Sequence, residues 1–218
     1  MTRCVPVAAS GGRRDVRLRN LLHLCRGIAV ALLTLANPPS ALACACCTNE
    51  GQRNVATVAL DSGKRHEIES LRFGAKASLY TGEGDVDATG GIATPSGSYR
   101  VDAKWQDDRL VLSFRDSLGH TGTLSLARPD TISIFEVDPR DRPDKGRGPT
   151  LYKEWKFSAA ASGTGVFRPG IAPRQVLTLI LQGGGNSCTS ANDFSHWTLV
   201  MQGPKANYTF FGDLVTTK

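Results

Sequence analysis

The chemistry available to this sequence gathers on sulfur. Cys44, Cys46 and Cys47 fall within four positions, and Cys188 follows far downstream. Thiols so placed can oxidise, ligate a soft metal or carry a lipid. Four cysteines allow three disulfide pairings. A bridge between the adjacent Cys46 and Cys47 is strained, so the leading reading has one or both reach Cys188. Such a bond closes a loop of about 140 residues and contributes several kcal/mol in the chain-entropy account. The metal alternative uses Cys44, Cys46, Cys47 and Cys188, with His196 as a further ligand. Those donors suit copper or zinc, although the spacing is not the C-x-x-C pair of structural zinc sites. The lipid alternative places a diacylglycerol on Cys44. Leu42 lies two residues before it rather than the usual three, and lipidation leaves an odd number of thiols.

Other constellations are weaker. Asp193-Phe194-Ser195-His196 puts an acid, a hydroxyl and an imidazole side by side. Catalytic triads assemble from distant positions, and neighbours on a strand face opposite ways. A hydrolase-like site around Asp193 and His196 therefore ranks lowest, and no catalytic residue is assigned. Glu83, Asp85 and Asp87 alternate like the first ligands of a calcium loop. Ala88 and Thr94 stand where an EF-hand needs glycine and glutamate, so that motif fails. Trp105, Trp155 and Trp197 each fall in a strand candidate. They are core residues in the plain reading and a ligand pocket in the functional one.

The elements that must position these groups are strands. Period-two alternation runs through RLVLSF (109–114), TGTLSLA (121–127), TISIFEV (131–137) and HWTLVM (196–201). QVLTLILQ (175–182) is almost continuously apolar and reads as a strand buried on both sides. Turn signals separate these runs: Asp107-Asp108, Leu118-Gly119, Pro129-Asp130, Gly183-Gly184-Gly185 and Gly203-Pro204. RHEIESLRF (65–73) is the one helix-like piece, and the acidic segment 82–98 reads as a solvated loop. The pattern predicts an all-β domain of about nine to eleven antiparallel strands. A barrel is favoured over a sandwich.

The formal charge of +6 is unevenly placed. Residues 1–43 hold six arginines against Asp15, a net +5. The other 20 basic and 19 acidic residues leave +1. The near-neutral remainder gives no reason to expect a nucleic-acid partner. Residues 1–43 also have the three parts of a secretory signal peptide: an arginine-rich start, the apolar run GIAVALLTLA, and Ala41-Leu42-Ala43 before the cysteines. The expectation is one exported domain over residues 44–218, in the bacterial periplasm or envelope. Its ligand or envelope partner is unknown, and it meets the membrane only through a lipidated Cys44.

CACCTNEG (44–51), LRFGAKASLY (71–80), LYKEWKF (151–157), SGTGVFRPGI (162–171), LQGGGNSC (181–188) and DFSHWTL (193–199) resemble a family of exported bacterial proteins. Those proteins open with a CACC-type motif after the signal peptide. The resemblance spans most of the mature chain and implies export, with no activity, ligand or site residue attached. The expected role is non-enzymatic, binding or structural.

Overall fold

The computed structural model describes residues 53–82, 84–138, 151–185 and 190–215. The chain divides after Leu42, and every described residue belongs to the second unit, Ala43–Lys218. The signal-peptide segment and Cys44, Cys46, Cys47 and Cys188 lie outside the described residues.

The alternating runs fold as eleven antiparallel strands. In chain order these are β1 (Arg53–Ala59), β2 (Arg72–Tyr80), β3 (Ser98–Gln106), β4 (Arg109–Arg115), β5 (Thr121–Ala127) and β6 (Thr131–Val137). They continue with β7 (Leu151–Ala160), β8 (Ser162–Gly165), β9 (Val176–Gly185), β10 (Phe194–Gln202) and β11 (Tyr208–Val215). All belong to one sheet, in the order β1-β6-β7-β9-β10-β11-β2-β3-β4-β5-β8. The hydrogen-bonded ladder is not closed, since β1 and β8 are its two ends. Yet β7 and β8 are one run interrupted at Ala161. Its first part pairs with β6 and β9, and its last part pairs with β5.

One face of this sheet is apolar because the period of two repeats in strand after strand. Leu110, Leu112 and Phe114 of β4, Leu124 and Leu126 of β5, and Leu177, Leu179 and Leu181 of β9 are all buried. Tyr99, Phe114, Phe167, Tyr208 and Phe210 meet as an aromatic cluster, with Phe114 and Phe210 centroids 4.8 Å apart. Each such ring contributes roughly 1.5–3 kcal/mol by burial.

Three local expectations need correction. QVLTLILQ is buried on one face; Thr178, Ile180 and Gln182 of β9 remain partly exposed on the other. The glycines 183–185 end β9 rather than turn the chain. The helix α1 spans Ser62–Ser70, three residues earlier than read, because the Asp61 side chain accepts from the Lys64 N–H at 2.9 Å and starts it. Segment 82–98 is largely exposed where described, as a solvated loop requires, and is anchored at one point: Ile92 is buried, and the Ala93 N–H bonds to the Val166 carbonyl.

The β4–β5 turn is organised by a buried carboxylate. Asp116 accepts from the N–H groups of Leu118 and His120 and from His120 Nδ1 at 2.7 Å. Desolvation raises its carboxyl, but the His120 side chain and the two amides outweigh that and hold it below 3.8. The stability this gives is present above the unfolded value and is lost as pH falls through the depressed one. Asp116→Ala should therefore be less stable than the parent at neutral pH, with the gap closing in strong acid. Hydrogen exchange at Leu118 and His120 would accelerate at neutral pH.

Candidate binding face

The three tryptophans occupy separate settings. Trp155 and Trp197 are 1% and 0% exposed and belong to the core. Trp155 stacks edge-on against Phe194, with centroids 5.3 Å apart. Trp197 lies over Gly212, whose missing side chain leaves room for the indole. Trp105 is half-buried, with the Arg128 guanidinium 5.2 Å from its ring centre. The physical reason is strand phase: Trp155 and Trp197 share the inward parity of their apolar neighbours.

Asp193 and His196 are engaged by different partners. Asp193 receives the Lys153 ammonium at 2.5 Å, while His196 Nδ1 bonds to Asp213 at 2.9 Å on the exposed outer face. A bulge between Phe194 and His196 separates them. It adds one residue to β10, so Phe194 and Trp197, three apart, both face inward. For the metal alternative, His196 is the one donor in that set among the described residues. No group of three or more potential metal ligands occurs among those residues.

The inward face carries charge at one end. Lys153 is 1% exposed, Glu136 3% and Asp138 0%. Glu136 and Lys153 are cross-strand neighbours on β6 and β7, and Lys153 is opposite Gly183 of β9. Gly183 and Gly185 leave space for Asp193: a side chain at Gly183 would collide with its carbonyl, and one at Gly185 with its carboxylate. The sequence reading passed over Glu136 and Lys153, although phase marks them. Glu136 continues Ile132 and Ile134, and Lys153 sits between Leu151 and Trp155.

Burial pushes the Glu136 carboxyl above 4.5, against the Lys153 charge and an Asn54 hydrogen bond. The folded chain thus keeps this proton to higher pH than the unfolded one. Stability from this group falls as pH rises from the unfolded value through the raised one. Glu136→Gln should show a smaller loss of stability between roughly pH 5 and pH 8 than the parent, read by urea denaturation at both.

The outer face carries the grooves. Lys76 of β2, Arg100 of β3 and Arg115 of β4 are consecutive cross-strand neighbours, and Thr121 of β5 continues the row. All four are exposed. The next row reads Asp102, Ser113, Thr123 and Thr164. Together the two rows, without Lys76, line a groove of about 570 Å³. A second groove of about 330 Å³ adjoins it, lined by Lys76, Ser78, His196, Phe211 and Asp213 and by an edge of Trp197, among others. Phe211 and its neighbour Tyr80 form an exposed edge-to-face pair, 40% and 62% exposed with centroids 5.8 Å apart.

These features come from geometry alone. No family model, no curated protein and no solved structure matches the chain.

Proposed function

We infer that this is an exported, non-enzymatic β-sheet protein with a binding role, its N-terminal cysteine cluster tied to Cys188 by a disulfide. The observation that carries the reading is a shared row of strand ends. Arg53, where β1 begins, is opposite Val137; Val137 is opposite Tyr152, and Tyr152 is opposite Gly184 of β9. Three strand spacings separate Arg53 from Gly184, about 15 Å. The six residues from Cys47 to Arg53 reach up to about 20 Å, and Cys188 follows Gly185 by three positions. An oxidising compartment would complete such a bridge. The arginine-rich leader and the likeness to exported CACC-type proteins support the same placement.

Thiol counting and non-reducing peptide mapping of periplasmic protein test this. The expected result is a peptide carrying Cys188 linked to the 44–47 segment. One copper or zinc per chain, lost on thiol alkylation, would replace the disulfide with a metal centre. A diacylglycerol mass on Cys44 would instead show a lipid anchor.

A further inference from the structure

We propose that the outer face formed by β2–β5, β8 and β11 binds an anionic oligosaccharide, a deepening that rests on the binding role inferred above. Like charges directly opposite on neighbouring strands destabilise a sheet. Lys76, Arg100 and Arg115 make two such contacts in succession. None of the three forms an ion pair among the described residues, while Asp102 and Asp213 on the same face are taken by Lys104 and His196. The fold leaves three cations in line, with strand spacing of about 5 Å between neighbours. Arginine's planar fork grips carboxylate, sulfate or phosphate oxygens in pairs. A chain bearing repeated anionic groups would relieve the repulsion that the bare face carries.

Two further observations select a sugar chain over a small anion. Ser113, Thr121, Thr123 and Thr164 set hydroxyls beside the cations, where each can donate to or accept from a sugar hydroxyl. Thr123 and Thr164 already bond to each other at 2.7 Å. At the other end, Phe211 and Tyr80 expose aromatic surface to water. The C–H face of a pyranose ring covers such a surface without stranding a polar group. Cations, hydroxyls and rings therefore lie on one face, in an order that an extended acidic oligosaccharide can follow.

The test is calorimetric titration of the full mature, oxidised protein. The probes are hexagalacturonate, a heparin-derived hexasaccharide, maltohexaose and inorganic pyrophosphate. At least one acidic hexasaccharide should bind, weakening as salt rises, and maltohexaose should not bind measurably. The double variant R100S/R115S should lose about tenfold or more in affinity. The variant F211S should lose about threefold or more. Both remove exposed side chains, so each variant should stay folded, with F211S unfolding close to the parent and R100S/R115S at the same or a higher temperature because it relieves the like-charge contacts. Failure of both acidic hexasaccharides to bind would overturn the proposal. So would equal affinity in R100S/R115S, or pyrophosphate binding as tightly as the sugars. Free thiols in the protein would count against the disulfide reading alone, because the face is built from residues remote in sequence from the cysteines.

Discussion

Lys153→Met should lower folding stability by about 3–5 kcal/mol at neutral pH. The lysine side chain is 1% exposed and bonded to Asp193, with Glu136 opposite and the buried Asp138 on the same inward face. Methionine fills much of the same volume, so the packing loss is small. What remains is buried carboxylate charge that has lost the Lys153 ammonium. Breaking a buried pair from one side costs far more than replacing both partners. The deficit should shrink in acid, as the carboxylates take up protons and need no cation. Urea denaturation at neutral and acidic pH reads both effects. A loss under about 1 kcal/mol would mean that Lys153 contributes no more than an exposed ion pair.

Trp155→Ala should cost a similar amount, about 3–5 kcal/mol, by opening a cavity in the core. The indole is 1% exposed, packs on Phe194, and stands between Lys153 and Phe157 on the inward face of β7. Many domains hold only 5–15 kcal/mol in all, so the variant should unfold at markedly lower denaturant. Trp105→Ala should lose less, since that ring is half-buried and leans on Arg128. Denaturation curves of the two variants side by side separate a core tryptophan from a rim one. Equal losses would contradict the difference in burial.

The strands were legible because period two is a strong signal when one face is wet. RLVLSF places Leu110, Leu112 and Phe114 inward, and TISIFEV places Ile132 and Ile134 inward, as the alternation requires. The strand count among the described residues follows from that pattern. The triple glycine misled because glycine usually marks a turn. Here it ends a strand that must let Asp193 approach its backbone, a contact between residues about ten apart with no local signature. The candidate site was almost invisible. Lys76, Arg100 and Arg115 are scattered along the chain and become neighbours through strand register, which composition does not encode. Glu136 and Lys153 could have been found, because each interrupts an apolar phase. A charged residue in phase with core positions is a stronger flag than a tryptophan in one.

The place of β11 sets a schedule for folding. It is the final described strand in the chain, yet it lies between β10 and β2, with five strands on one side and five on the other. Strands β2 to β5 form a meander of neighbours that can assemble locally. The β7–β8 run links this meander to the other group through β5, but the ladder between β10 and β2 is completed only by Tyr208–Val215, roughly 130 residues downstream of β2. Such distant pairing is slow to form. The seam between β10 and β2 therefore stays open until that strand is in place.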